Sequence, residues 1–240
     1  VMGAKPIHVM TSEEKDKSPK ISDYFIDLGM RKEDVEKVVS IGDSITRERG
    51  LIQMGDCVNC KSLDNRVSVF ILIETIKQLK NKQLPHDFYA VFTVQEEVGV
   101  RGAQVAALSI NPDFGICIDT TIAFDTPGAS DHEKITSLGK GVGIKIMDSR
   151  TICDHRMVKF MKQTADKNSI KWQPEILTGG GTDTMAIQQF TAGGSIAGAI
   201  SVPTRHIHQV IETCNKNDIS YSIDLLVNCV QDIGDFNWSS

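Results

Sequence analysis

Four places along the sequence combine a strand or helix pattern with acidic or histidine side chains at one end. The side chains are those of Asp64, Glu96, Glu97, Asp119, His206 and His208. Taken singly, each has an ordinary explanation, since an Asp before a helix caps it and paired Glu residues on a loop are solvated. Carboxylates gathered at one edge of a sheet, however, repel one another unless a cation neutralises them. Asp, Glu and His together are a ligand set for zinc, cobalt or manganese, and a shared carboxylate permits two metals about 3.5–4 Å apart.

The paired Glu96 and Glu97 divide naturally between two tasks. Adjacent side chains on an irregular turn point in different directions. One carboxylate can therefore bind a metal while the other stays free to move protons.

From about Cys57 onward, strand and helix patterns alternate along the sequence. Residues 88–94 form a continuous apolar run of β-forming types, which predicts a strand buried on both faces. Further strands are predicted at 114–118, 142–146, 172–177 and 197–202, and helices at 64–80, 101–109, 155–168, after 182 and at 220–233. This alternation predicts a three-layer α/β sandwich, in which helices flank a largely parallel mixed sheet. Functional groups in such sheets gather beyond the carboxyl ends of the strands.

Residues 1–56 differ from the rest of the sequence. They are rich in Lys, Asp and Glu and contain only short apolar runs. Because this is too little apolar material for a large core, the segment is interpreted as a small, mostly β module. The predicted domains are therefore 1–56 and 57–240.

Bulk composition excludes several classes of partner. The sequence has a net charge of −5, which argues against the basic stripe that nucleic-acid binding requires. No apolar run approaches the ~20 residues of a membrane span, so we expect neither nucleic acid nor membrane as a partner. Six scattered cysteines favour reduced thiols in a cytoplasmic protein over a disulfide scaffold.

Longer segments around these residues carry a resemblance to a known family. They are residues 3–8, 61–66, 96–103, 125–128, 179–183 and 202–208. The segments occur in the family's order and cover essentially the whole chain. The sequence resembles the tetrahedral dodecameric aminopeptidases, a glutamyl and leucyl aminopeptidase-like family of cocatalytic metallopeptidases.

The resemblance implies two divalent metal ions per intact subunit, zinc or cobalt. Asp64 would bridge the two ions and precede Asn65 through a cis peptide bond. Glu97 and His208 would complete one metal site, and Asp119 would serve the other.

The resemblance also implies the reaction, hydrolysis of the N-terminal residue from a peptide substrate. Glu96 would be the general base, taking a proton from the metal-bridging water and passing it to the leaving amine. The residues expected to contact substrate are Gly180, Gly181, Thr182, Asp183 and Arg205. Residues 1–56 would be the remnant of a β-rich oligomerisation domain, and the assembly would be a homo-oligomer, a dodecamer in the family.

Three departures from the family pattern affect these expectations. Asn65 stands where the family has Asp, and His206 stands where it usually has Tyr. The family's further metal ligand, a His within an H-x-D segment, has no counterpart in this sequence. We therefore expect that roughly the first hundred residues of the family domain are absent.

Two other functions stay open at this stage. The chain is either an aminopeptidase or a non-catalytic family member that keeps the fold and the oligomer surface. A third interpretation keeps the metal site but changes the bond, giving a deacylase of N-acyl amino acids. Metal binding and peptidase activity distinguish the first two.

Overall fold

A computed structural model describes residues 1–239 and divides the chain into two units, Val1–Arg47 and the residues from Glu48 onward. The first unit contains an antiparallel pair of short strands, β1 (Met2–Ala4) and β2 (Tyr24–Ile26). It also contains two short helices, α1 (Ser12–Lys15) and α2 (Lys32–Val38). None of the side chains described in this unit is buried, as expected for a segment with so little apolar material.

The second unit is built on one mixed sheet. Its strands are β3 (Ile52–Met54), β4 (Cys57–Cys60), β5 (Phe114–Ile122), β6 (Val142–Met147), β7 (Trp172–Ile176), β8 (Ile196–Arg205) and β9 (Glu212–Asn215). They are ordered β3-β4-β9-β8-β6-β7, with β5 paired to β8. The β3–β4 hairpin belongs to this sheet, so the unit begins before the boundary predicted after Asp56.

Helices cover both faces of the sheet. They are α3 (Leu63–Leu79), α4 (Arg101–Ile110), α5 (His155–Lys167), α6 (Thr184–Gln189) and α7 (Lys216–Asp232). Gly115 of β5 lies against Ile187 of α6, whereas Gly198 of β8 lies against Met157 of α5. Because Gly198 pairs with Ile116 rather than Gly115, these two glycines face opposite sides of the sheet. The predicted α/β architecture, a mixed sheet with helices on both faces, is confirmed.

Most of the core lies on the face covered by α3, α5 and α7. Ile71, Met157, Met161 and Leu225 are fully buried there. Helix α5 begins after Asp154, whose side chain accepts a hydrogen bond from the backbone N–H of Arg156 at 2.9 Å and so caps the helix. Among residues 1–239, no helix combines the length and the apolar character that a membrane span requires.

The sheet is less parallel than the sequence predicts. Within the described part of this sheet, the β5–β8 and β6–β7 pairs are parallel and four pairs are antiparallel, although the β5–β8 ladder is the longest. Two of the antiparallel pairs involve β9, a four-residue strand that is too short for its periodicity to stand out in the sequence.

The predicted strand at residues 88–94 is wrong. The segment joins no ladder in the described part of the chain, and Tyr89 and Val94 are 61% and 68% exposed. A strand requires a hydrogen-bonded neighbour, and β5 is paired only with β8 among the described residues. Apolar composition indicates a surface suited to burial, but it does not supply the partner strand.

A candidate metal centre

Asp64 lies where β4 passes into helix α3. Ser62 has a left-handed backbone (φ 58°), and the Asp64–Asn65 peptide is cis, as the resemblance implies. The side chain of Asn65 donates a hydrogen bond to the carbonyl of Ile118 in β5 at 3.1 Å. The turn that carries Asp64 is thereby tied to the strand that carries Asp119.

His208 lies in the loop between β8 and β9. The loop has left-handed backbone at His206 and His208, with φ of 57° and 64°. His208 Nε2 lies 3.0 Å from Asp64 Oδ2. The neighbouring His206 is exposed and does not join this pair.

Glu97 completes a three-residue cluster. It stands in a 3₁₀ turn, Glu96–Val98, flanked by positive φ at Gln95 and Gly99. Its Oε1 lies 3.7 Å from His208 Nε2, and one donor atom from each of Asp64, Glu97 and His208 lies within 4.8 Å of the others. One imidazole and two carboxylates at this spacing fit a single divalent ion such as zinc.

Glu96 lies beside the cluster but faces a different environment. It is half-buried, and burial together with the charges of Asp183 and Glu97 raises its pKa to about 7. A carboxyl group with a pKa near the working pH can both accept and release a proton efficiently. The two adjacent Glu residues therefore differ in environment, and their roles as metal ligand and general base stay predictions.

Asp119 is buried in β5 and belongs to the same acidic region. Burial, and then the charge of Asp64, raise its pKa well above the usual range. One of its oxygens accepts a hydrogen bond from the backbone N–H of Thr120 at 2.8 Å. Within the described residues Asp119 is not part of the three-donor cluster, and its service to a second ion stays a prediction.

The glycine loop before α6 brings one further carboxylate to this region. Asp183 accepts a hydrogen bond from Thr93 Oγ1 at 2.6 Å, and its charge raises the pKa of both Glu96 and Asp119. Burial in turn raises the pKa of Asp183 itself. Asp183 is thus close enough to the predicted general base to influence it.

The rest of that loop is held by the chain that follows β6. Ser149 donates a hydrogen bond to the carbonyl of Gly180, and a Cβ on Gly181 would lie 2.8 Å from Cδ of Arg150. Thr182 is buried, and its hydroxyl forms a hydrogen bond with the hydroxyl of Thr184 at 3.0 Å. Contact of Gly180, Gly181 and Thr182 with substrate stays a prediction.

Arg205, also predicted to bind substrate, is engaged by another side chain. Its guanidinium forms a two-point ion pair with Asp125, with Nε–Oδ1 and Nη2–Oδ2 distances of 2.5 and 2.8 Å. Asp125 also accepts from the backbone N–H of Leu138 at 2.9 Å. This pair anchors the end of β8 to the loop after β5, which is a structural task.

Sequence reasoning missed two side chains of the site, Glu212 and Thr93. Glu212 accepts hydrogen bonds from the backbone N–H groups of Asp64 and His208 at 2.9 and 2.8 Å. Thr93 lies in the run wrongly predicted as a strand. Each has a hydrogen-bond partner far away in the sequence, Asp64 for Glu212 and Asp183 for Thr93, and no local spacing signals such a contact.

Comparison with known proteins decides the family. The model of the M42 glutamyl aminopeptidase family matches residues 1–225. The chain belongs to this family.

Individual members of the family extend the comparison. A putative aminopeptidase of Acetivibrio thermocellus is 40% identical over 215 residues, which is 89% of this chain and 64% of that protein. The structure of aminopeptidase APDkam598 from Desulfurococcus kamchatkensis is 34% identical with a TM-score of 0.90, covering 96% of this chain and 64% of that one. A Pyrococcus horikoshii TET1 peptidase, described as able to assemble into a tetrahedron or a large octahedral shell, is 33% identical with a TM-score of 0.81, covering 95% and 66%. The chain therefore spans about two thirds of the length of these relatives.

Proposed function

We propose that this chain carries the catalytic site of a metal-dependent aminopeptidase, which removes the N-terminal residue from peptides. The observation that carries the proposal is the cluster of Asp64, Glu97 and His208 within 4.8 Å, with the half-buried Glu96 beside it. Membership of a glutamyl aminopeptidase family supports the peptide bond as the target.

The cluster would hold one divalent ion, zinc or cobalt, and Asp64 and Asp119 would serve a second. Such an ion supplies a Lewis acid that lowers the pKa of a coordinated water and polarises the scissile carbonyl. Imidazole is the better donor for these borderline metals. The first site, which includes His208, is therefore the stronger of the two.

Glu96 would manage the protons of the reaction. Its carboxylate accepts a proton from the attacking water as the oxygen bonds to the carbonyl carbon. It then delivers this proton to the amine as the C–N bond breaks. In the chain without metal the pKa of Glu96 is about 7, a range in which a carboxyl group can both accept and release a proton.

The substrate would lie against Asp183 and the glycine loop, with Gly180, Gly181 and Thr182 lining the pocket. Glycine permits a peptide backbone to approach closely because it has no side chain. A contact from Arg205 requires that its guanidinium serve substrate and Asp125 together.

The assembly we propose is a homo-oligomer. The printed description of the Pyrococcus relative as a tetrahedron or octahedral shell supports it, and the first unit would contribute to the contacts. Six free cysteines, four of them buried, favour the reducing cytoplasm as the location.

The decisive test is hydrolysis by the gene product that includes this sequence. Aminoacyl-p-nitroanilides should be cleaved, chelation should abolish the activity, and added zinc or cobalt should restore it. N-acetylated aminoacyl-anilides are the matched control, because an aminopeptidase requires a free α-amine. Cleavage of N-acyl amino acids instead would indicate the deacylase. Metal binding without turnover of either substrate would indicate a non-catalytic member.

A further inference from the structure

Both segments that carry the closest pair of candidate ligands lack regular structure. Asp64 follows the left-handed Ser62 and has non-helical backbone angles inside the first turn of α3. His208 itself has a left-handed backbone. Neither residue is held by a strand ladder, so another contact must fix their 3.0 Å separation.

Glu212 supplies that contact. Its Oε2 accepts a hydrogen bond from the backbone N–H of Asp64 at 2.9 Å, and its Oε1 accepts one from the backbone N–H of His208 at 2.8 Å. One carboxylate therefore joins two segments that are far apart in sequence, using one oxygen for each. Hydrogen bonds to an ionised acceptor are about twice as strong as neutral ones.

The position of Glu212 is set by the sheet. It is the first residue of β9 and pairs with Cys60 of β4. The buried Asn59 donates to the carbonyl of Ile211 and to Thr213 Oγ1, at 2.7 and 2.9 Å. With both neighbours tied down and only 2% of its surface exposed, Glu212 has little freedom to move.

We propose that Glu212 is a positioning residue, which holds Asp64 and His208 at the separation that metal binding needs. The inference rests on the metal site of the proposed function. In this role Glu212 contacts neither substrate nor metal. It acts through the backbone of the two ligands, and such outer partners typically alter metal affinity 10–100-fold.

A matched control exists elsewhere in the same unit. Asp218 is also fully buried, and its carboxylate accepts hydrogen bonds from the backbone N–H groups of Gly139 and Gly141, at 2.7 and 2.9 Å. Its partners are not candidate ligands. Asp218→Asn therefore removes the same kind of interaction and reports the general cost of doing so.

The experiment titrates the 240-residue chain with Zn²⁺ and with Co²⁺, following heat and the visible Co²⁺ spectrum. Glu212→Gln keeps the shape but replaces one acceptor oxygen with an NH₂ group, which cannot accept from an N–H. We expect its Kd to rise about 10–100-fold and the Co²⁺ spectrum to change. Asp218→Asn should leave both unchanged even where its thermal stability falls as much.

A second measurement needs no metal. Amide hydrogen exchange of Asp64 and His208 should accelerate in Glu212→Gln and stay at the wild-type rate in Asp218→Asn. Binding by the wild-type chain with unchanged Kd in Glu212→Gln would overturn the positioning role alone. A wild-type chain that binds neither ion would contradict the proposed function and the positioning role together. An equal loss of affinity in Asp218→Asn would show that Glu212 contributes only general stability.

Discussion

The two sides of the candidate site differ in how firmly they are built. On one side, Asp64 is 10% exposed, and His208, although 67% exposed, has its backbone joined to that of Asp64 through Glu212, a residue of the central sheet. On the other side, Glu97 is 65% exposed and follows residues 88–94, which join no ladder in the described part of the chain. The first side is preorganised by the fold, whereas the second presents functional groups without comparable support.

The metal affinity of the chain should come mainly from the side that carries Asp64 and His208. A ligand whose backbone is already fixed loses little freedom when it binds a metal, whereas a mobile ligand must be ordered first. Asp64 and His208 should therefore dominate binding. The side that carries Glu97 should instead govern association with other surfaces, because exposed apolar side chains lie there in a segment that joins no ladder among the described residues.

Substitution of Asp64 should change metal binding more than any other substitution proposed here. We expect Asp64→Ala to abolish measurable zinc binding, because it removes a largely buried carboxylate that would serve the first ion and would also bridge to a second. Glu97→Ala, on the exposed side, should weaken binding but not abolish it. Calorimetric titration of both variants checks this order, and a larger loss in Glu97→Ala would contradict it.

Glu96→Gln separates proton transfer from metal binding. In the gene product that includes this sequence, kcat should fall by about 10²–10⁴-fold, because only the general base is removed. Metal content should stay near the wild-type value. Elemental analysis beside steady-state kinetics makes the check, and a metal loss equal to that of Asp64→Ala would refute the division of roles between the two carboxylates.

The side of the site that carries Glu97 is tested through self-association of the chain. Tyr89→Ser combined with Val94→Thr should reduce self-association of the 240-residue chain, because both side chains are largely solvent-exposed in a segment that joins no ladder among the described residues. Zinc affinity should not change. Sedimentation velocity measures the association, with Ile152→Thr as a control at a still more exposed apolar position. Undiminished association in the double variant would show that this segment is not the responsible surface.

The smallest effect concerns stability without metal. The pKa of Asp119 is raised in the folded chain above its usual value of 3.8, chiefly by burial. The folded state therefore retains a proton that the unfolded state releases, and stability falls as pH rises from about 3.8 toward the folded pKa. Asp119→Asn does not ionise and avoids this loss.

We therefore expect Asp119→Asn to be more stable than the wild-type chain at pH 7 in the presence of a chelator. The rise in Tm should be roughly 2–4 °C for each kcal/mol recovered. Calorimetry at pH 7 and at pH 4 checks the sign, since the advantage should shrink at the lower pH. A lower Tm for the variant at pH 7 would contradict the assignment of a costly buried charge.

The sequence could predict the elements that bring the ligands together. His208 lies three residues beyond the end of β8, but Asp119 lies inside β5, where it pairs with Ser201. Residue type and an approximate strand end singled out both side chains as candidates, although β5 continues to Ile122, beyond the end that the sequence predicts.

Other features depend on partners that local patterns do not reveal. Residues 88–94 have the composition of a buried strand, yet whether a neighbouring strand exists is a property of the whole chain. Glu212 acts as an acceptor for two backbone groups, one of them 148 residues away, and no spacing rule identifies such a task. The antiparallel pairs of β9 were missed because four residues give too little periodicity.

The proposed metal site is tested most directly by a crystal structure of the 240-residue chain soaked with zinc, with anomalous scattering recorded at the zinc edge. We expect one strong peak per chain, about 2.0–2.2 Å from ligand atoms of Asp64, Glu97 and His208, with little or no density near Asp119. Absence of a peak at this cluster would contradict the proposed metal site. Two equally strong peaks would contradict the expectation that the residues present favour a single ion.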